Sequence, residues 1–494
     1  MQRNSPSVRS ALRNPKILTK EVLAGLVVAL ALIPEAISFS ILAGVDPRLG
    51  LFSSFIMAVT TAVIGGRPAM ISAATGAVAI IIAPVARDHG LDFFLATVVL
   101  AGIFQIFLAA LGAAKLMRFI PRSVMVGFVN ALAIIIFLAQ MPYLIGVSIP
   151  AYVLVAIGLV IMVVMPKLTS VIPAPLVAIV IVSAIVIFWG LNVQTVGDEG
   201  ELPQSLPELL IPNVALNVTT FNIIAPYALA MALVGLLESL MTAKLVDEIT
   251  DTKSAKTRES FAQGIGNVIS GIFGGMGGCA MIGQTMINVK GSGARTRIST
   301  FTAGVLLLFL VVVLGDLVST IPMAALVAVM IMVSVGTFNW HSVRPSTLKR
   351  MPKTETFVMV TTVAVVIVTH NLAIGVIVGI ILEMVMFARR VAHFAETTRT
   401  VGEQDGVGEA LYTVKGELFF ASSNDLTTQF EYTDDPENIF IDFSEAHIWD
   451  PSSVAALDSI LDKYHRLGKS VEVKGMNDYS SGLYGRLAGR LGSE

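Results

Sequence analysis

Two glutamates stand where an acidic side chain is costly. Glu35 follows Pro34 in the middle of an apolar run over 22–43, and Glu238 lies inside another over 222–245. A carboxylate near the centre of a bilayer costs roughly 2–3 kcal/mol or more, so an intramembrane acid carries a functional expectation. Burial favours the neutral form of a carboxyl group. A protonated glutamate admits an anion that an ionised one repels, so the two acids could bind a proton and an anion together. The competing reading makes each a helix-end acid that reaches water or pairs with a base, Lys244 in the case of Glu238. Glu383 and Asp316, nearer the ends of their runs, fit that second reading.

Two glycine-rich stretches could supply the rest of a site. They are Gly65-Gly66-Arg67-Pro68-Ala69-Met70-Ile71-Ser72-Ala73-Ala74-Thr75-Gly76 and Gly274-Gly275-Met276-Gly277-Gly278-Cys279-Ala280-Met281-Ile282-Gly283-Gln284. Each reads as an extended segment leading into a half-helix that starts inside the apolar layer. Glycine and small residues let backbone approach a ligand closely. A helix start exposes unpaired N–H groups and about half a unit of positive charge. Two such ends facing each other would cradle an anion without a fixed cation. The alternative is that the small residues only allow helices to pack closely. Phe39, one turn after Glu35, could cover a bound solute or simply pack. The six histidines show no metal-ligand spacing and no GxxxxGK pattern followed by Ser or Thr occurs, so neither metal, cofactor nor ATP is expected. Cys279 is the only cysteine, which excludes an intramolecular disulfide.

The elements that must position these residues follow from composition. Of 494 residues, 55% are hydrophobic and 14% charged, with mean hydropathy +0.79. Soluble domains carry about a quarter charged residues, so the chain belongs in a lipid bilayer. A net charge of −2 gives no reason to expect nucleic acid. The polar stretch to Lys20 has no apolar core of a cleavable leader, so the first span is expected to direct insertion. Apolar runs fall at 22–43, 49–65, 71–86, 93–113, 122–145, 151–165, 171–190, 222–245, 259–275, 280–290, 299–320, 322–338, 355–369 and 371–388. About 20 residues are needed to cross the hydrocarbon, so the third and tenth runs are too short to span alone. With the N-terminus inside, 23 basic residues fall in cytoplasmic loops and two, Arg48 and Arg87, fall outside. The outside loop 191–221 holds Asp198, Glu199, Glu201 and Glu208 and no base. Fourteen spans with both ends cytoplasmic satisfy the positive-inside rule.

The two halves share landmarks. Glu35 is matched by Glu238, Gly65-Gly66 by Gly274-Gly275, Ile120-Pro121 by Ile321-Pro322, and Met165-Pro166-Lys167 by Met351-Pro352-Lys353, in the same order. Seven spans per copy is an odd number, so the second copy is inverted. Inverted repeats suit alternating access around a midplane site built from broken helices, which points to a secondary transporter and away from an enzyme. The expected division is a cytoplasmic N-terminus (1–20), a membrane part (21–392, repeat one 21–190 and repeat two 222–392), a linker (393–408) and a cytoplasmic domain (409–494). In that last part 410–414 and 417–420 alternate like strands and 438–443 is a buried-strand run. An amphipathic helix over 452–467 is capped near Asp450, and 470–473 resumes the sheet. This is the pattern of a small α/β domain.

The run Ile439-Phe440-Ile441-Asp442-Phe443-Ser444 followed by Trp449-Asp450-Pro451-Ser452-Ser453 resembles the STAS domain pattern. With fourteen inverted-repeat spans before it, the chain resembles the sulfate permease (SulP) family of anion transporters. Ala31-Leu32-Ile33-Pro34-Glu35-Ala36, Ser72-Ala73-Ala74-Thr75-Gly76-Ala77, Glu238-Ser239 and Ser292-Gly293-Ala294-Arg295-Thr296 carry the likeness further. The resemblance implies core and gate domains moving as an elevator, usually in a homodimer in the cell membrane. It implies a substrate that is sulfate, bicarbonate, chloride, oxalate or a dicarboxylate. It also implies a site between the third and tenth half-helices, flanked by the first and eighth spans, near Glu35, Phe39, Ser72, Ala73, Glu238, Cys279, Ala280 and Met281. Ala74, Thr75 and Gln284 adjoin these as candidate binding residues, and Glu35 and Glu238, as acids inside apolar spans, are the candidate proton-coupling pair. The family commonly has glutamine where this chain has Glu35, and many members have an arginine in the tenth span where this chain has Gln284-Thr285. Pro451 interrupts the Asp-Ser-Ser motif that is phosphorylated in bacterial regulatory STAS domains, so phosphorylation is not expected. The leading expectation is a proton-coupled symporter of small inorganic or dicarboxylate anions. The alternatives are a sodium-driven bicarbonate transporter and a membrane sensor or scaffold that signals to a cytoplasmic partner through its STAS domain.

Overall fold

Each apolar run is bounded by a residue that starts or stops a helix, and each carries one. The computed structural model describes residues 8–116, 120–168, 174–200, 202–215, 217–369, 371–392, 395–404 and 407–490. Arg3, Arg118 and Glu201, counted above among loop charges, lie outside the described residues. Two compact units result, Met1–Ile380 and Ile381–Glu494.

In the first repeat the helices are α1 (Pro15–Leu42), α2 (Pro47–Ile64), α3 (Gly76–His89), α4 (Leu91–Ala110), α5 (Arg122–Leu138), α6 (Ile149–Leu168) and α7 (Ala174–Trp189). Those of the second are α8 (Val218–Thr250), α9 (Lys256–Ile272), α10 (Ile282–Met286), α11 (Arg297–Ser319), α12 (Met323–Thr337), α13 (Lys353–Thr369) and α14 (Leu372–Ala392). Local chemistry explains the starts. Asn14 accepts from the Lys16 N–H ahead of Pro15, and Asn217 accepts from the Thr220 N–H. The third and tenth segments differ from the rest. Strand β1 (Ser72–Ala73) leads into α3, and β2 (Cys279–Ala280) leads into α10, which runs on as a π-turn over Ile287–Gly291. With 14 residues in α3 and five in α10, at about 1.5 Å per residue neither crosses a hydrocarbon layer of about 30 Å.

The helices sort into two bundles. In the first, α9 packs on α4 and α2 on α11, while α1 packs on α11 and α8 on α4. In the second, α5 packs on α13 and α12 on α6. Each of these pairings maps onto its counterpart when the repeats are exchanged, as two inverted copies require. Bare backbone lets α4 and α9 close up: a Cβ on Gly102 would lie 2.6 Å from the Gly264 carbonyl oxygen, and one on Gly264 would lie 2.8 Å from that of Gly102.

The second unit is a four-stranded sheet in the order β3 (Glu396–Gln404), β4 (Val407–Leu418), β5 (Asn438–Ile448), β6 (Ser470–Lys474), with helices α15 (Pro451–Arg466) and α16 (Asp478–Leu487). β4, β5 and β6 run parallel, and β3 runs antiparallel to β4. Asp450 caps α15, its Oδ1 accepting from the Ser453 N–H at 3.0 Å. The linker expected over 393–408 is corrected here. Residues 396–404 form an edge strand, which needs pairing on one side only and tolerates a polar, glycine-bearing sequence. Its Arg399 Nε donates to Asp435 at 2.8 Å, a tie invisible in a local reading. The two short strands expected at 410–414 and 417–420 are one strand with a register shift between Thr413 and Lys415, and Phe419-Phe420 lies beyond it.

Candidate functional site

The two broken segments meet. β1 and β2 pair antiparallel, Ser72 opposite Ala280 and Ala73 opposite Cys279. The ladder extends at its edge, where the Met281 N–H donates to the Ile71 carbonyl at 2.9 Å. Since the strands run in opposite senses, α3 and α10 leave the pair in opposite directions. Thr75 is extended and caps α3, its Oγ1 accepting from the Val78 N–H at 3.4 Å. Side chains hold the strands from behind. The Ala74 N–H donates to Ser54 Oγ at 3.2 Å and the Ala280 N–H to Ser239 Oγ at 3.0 Å. Gly278 is required by contact alone, because a Cβ there would sit 2.0 Å from the Ala73 carbonyl oxygen. Phe39 lies over the first turn of α3. A Cβ on Gly76 would meet its ring at 2.9 Å and Ile136 of α5 at 3.2 Å.

Both acids reach this strand pair. Glu35 of α1 accepts from Gln284 Nε2 of α10 at 2.9 Å, a bond between the two repeats. Glu238 of α8 accepts from the Cys279 thiol at 3.0 Å, and that sulfur lies 3.1 Å from Thr75 Oγ1. The two glutamates are buried, and among the described residues neither has an ion-pair partner. Glu238 faces Cys279 rather than pairing with Lys244. Gln284 is also buried and, among the described residues, its Oε1 has no partner. All eleven residues singled out in the sequence, Glu35, Phe39, Ser72 to Thr75, Glu238, Cys279 to Met281 and Gln284, therefore lie in or against one strand pair and its two helix starts.

Sequence reasoning missed the buried polar face of α9. Glu259 Oε2 accepts from the Gly66 and Arg67 N–H groups at 2.6 and 2.9 Å, and its Oε1 from Gln263 Nε2 at 2.9 Å. Gln263 Nε2 also donates to Ser72 Oγ at 2.7 Å. Asn267 grips Gly278 twice, accepting from its N–H at 2.7 Å and donating to its carbonyl at 3.0 Å, and donates to Gln105 Oε1 at 2.8 Å. The signal was present: Glu259, Gln263, Asn267 and Ser270 recur every three to four residues on one helix face, a polar stripe within an apolar segment.

Fourteen apolar segments in two inverted copies, broken at a shared strand pair and followed by a small α/β unit, define a multi-pass membrane transporter. The sulfate permease family pattern matches residues 18–152 and 147–362, and the STAS domain pattern matches 399–480. The chain belongs to the sulfate permease family, whose members are anion transporters and not enzymes. YbaR of Bacillus subtilis (strain 168), which carries a provisional sulfate-transporter name, is 50% identical over 471 residues, 95% of this chain and 97% of that protein. The transmembrane domain of a cyanobacterial bicarbonate transporter, BicA, superposes with a TM-score of 0.64 at 26% identity, covering 75% of this chain and 98% of that one. Murine Slc26a9, an anion transporter solved in an inward-facing state, gives 0.81 at 16% identity over 95% of this chain and 87% of that one, which establishes the common fold.

Proposed function

We propose that this protein is a proton-coupled symporter of small inorganic or dicarboxylate anions, acting as a homodimer in the inner membrane with both termini cytoplasmic. The observation that carries the reading is the arrival of two buried glutamates, one from each repeat, at the strand pair where α3 and α10 begin. The first N–H groups of α3 (Gly76, Ala77) and of α10 (Ile282, Gly283) have no preceding turn to bond, so they and the helix dipoles favour an anion. Ser72, Ala73, Ala74, Thr75, Cys279, Ala280, Met281 and Gln284 line that position and Phe39 covers it. An ionised carboxylate about 4 Å from the anion would oppose binding by about 4 kcal/mol at an effective dielectric near 20. A proton on Glu35 and on Glu238 removes that repulsion, so proton and anion enter together. The bundle holding the site then moves against the bundle of α5, α6, α7, α12 and α13, exposing the site to each side in turn.

Uptake of radiolabelled sulfate, bicarbonate and succinate into proteoliposomes at acid and alkaline external pH tests this. Acidification is expected to speed uptake of at least one, and Glu35→Gln to blunt the response; pH-independent uptake in the wild type would remove the protons from the mechanism. The likeness to BicA, a bicarbonate transporter, supports a second reading, bicarbonate uptake; if sodium drives it, uptake requires sodium absolutely.

A further inference from the structure

Gln284 sits in the first turns of α10 and, like Gln263 and Asn288, has a bonded amide nitrogen and an unpartnered oxygen; it alone of the three bonds Glu35. Its amide nitrogen donates to Glu35 Oε1 at 2.9 Å, while its carbonyl oxygen is buried without a partner. A primary amide has a donor end and an acceptor end and can present either one to a given neighbour. An ionised Glu35 can only accept, so it takes the amide nitrogen and leaves the oxygen unpartnered. A protonated Glu35 has an O–H to donate, and the only acceptor on the Gln284 side chain is that orphaned oxygen.

We infer that Gln284 is the residue through which the proton on Glu35 is read by the anion: protonation turns the amide, so that Gln284 Oε1 accepts from Glu35 and Gln284 Nε2 swings to donate into the site. This rests on the proton-symport reading above and deepens it. One proton then acts twice, cancelling the charge on Glu35 and adding a donor for the substrate. The turn also satisfies a buried acceptor that otherwise has no partner among the described residues, which favours it. Among the described residues, no charged side chain other than Glu35 bonds the amide. The other titratable groups at the strand pair are Glu238 of α8 and the Cys279 thiol, which bond to each other. On α9, Glu259 is turned to the Gly66 and Arg67 amides and to Gln263. The bases of the adjoining segments, Arg67 and Arg297, are held by Asp247 and by the carbonyls at the end of α2.

The test uses the full chain in proteoliposomes, with whichever of radiolabelled sulfate or succinate the wild type takes up faster as the probe. Half-saturation is measured across external pH for the wild type, Gln284→Met, Glu35→Gln and the double variant. In the wild type, half-saturation falls on acidification. Gln284→Met, which fills the space but cannot turn, should weaken half-saturation by about tenfold at acid pH, the worth of one hydrogen bond to a charged group. At alkaline pH it should differ from wild type by about twofold at most. The double variant should have no flatter pH response than either single one, because both break the same link. Gln284→Asn, too short to hold Glu35, should behave like Gln284→Met and serves if the latter fails to yield a monodisperse protein. A pH response kept in full by both Gln284 variants, with a uniform loss at every pH, overturns the inference while leaving proton symport standing. A wild type with no pH response overturns both.

Discussion

Glu259 and the pair Glu35 and Glu238 are buried carboxyl groups of the same helical bundle, but their surroundings differ in kind. Glu259 takes three hydrogen bonds, two from backbone amides at the end of α2 and one from Gln263. Each of the other two takes a single side-chain bond, from Gln284 or from Cys279. A carboxylate with several donors is a fixed part of the scaffold, and its charge is spent on holding neighbours. One with a single, soft or reversible donor keeps capacity for a proton. Asp435 in the C-terminal unit is of the first kind: it accepts from Arg399 Nε at 2.8 Å, Tyr412 at 2.7 Å and Tyr464 at 2.5 Å. Burial is common to all of these acids, and the number of donors is what differs.

Replacing Glu259 should have the largest effect. In Glu259→Leu the Gly66 and Arg67 N–H groups lose their acceptor, at about 1–3 kcal/mol for each orphaned donor, and Gln263 loses one of its two. We expect a large fall in monodisperse protein and in thermal stability on fluorescence-detected size exclusion. Glu35→Gln and Glu238→Gln should stay within about 1 kcal/mol of wild type and lose the pH dependence of transport instead. Equal destabilisation by all three would erase the distinction.

A smaller effect concerns Asp435 and the tyrosines around it. Burial, and then the neighbouring Tyr412, push the Tyr432 hydroxyl up to about 12. Burial is the first cause for Tyr464 as well, followed by its bond to Asp435. A folded value above the unfolded one of about 10 means the neutral phenol is favoured in the folded state. That contribution is complete below pH of about 10 and is lost as pH rises through about 12. Limited proteolysis of the full chain at rising pH should therefore open the C-terminal unit in that window. Tyr432→Phe, which has no proton to lose, should shift the opening to higher pH; an unchanged onset would contradict it.

Much of this arrangement could be read in advance. The fourteen apolar runs, the interrupted third and tenth segments, and Glu35 and Glu238 all follow from local composition, because lipid forces each span to satisfy its own backbone. The helix after β5 was legible from its cap, Asp450. What was not legible depends on distance along the chain. Glu35 and Gln284 are 249 residues apart, and Gln263 and Ser72 are 191 apart, so no local pattern announces either bond. Strand β3 failed for the opposite reason: its sequence is locally that of a linker, and only pairing with β4 makes it a strand. The polar stripe of α9 was available and went unread because Glu259 lies at the helix start, where an acid is ordinary.

An anion held between β1, β2 and the starts of α3 and α10 would lie against Cys279. The protein carries its own reporter, since its only cysteine, Cys279, is in β2. The rate at which a small thiol reagent labels Cys279 in membranes should fall as the transported anion is added, with half-protection near the half-saturation of uptake. A labelling rate unchanged by saturating anion would place the substrate elsewhere.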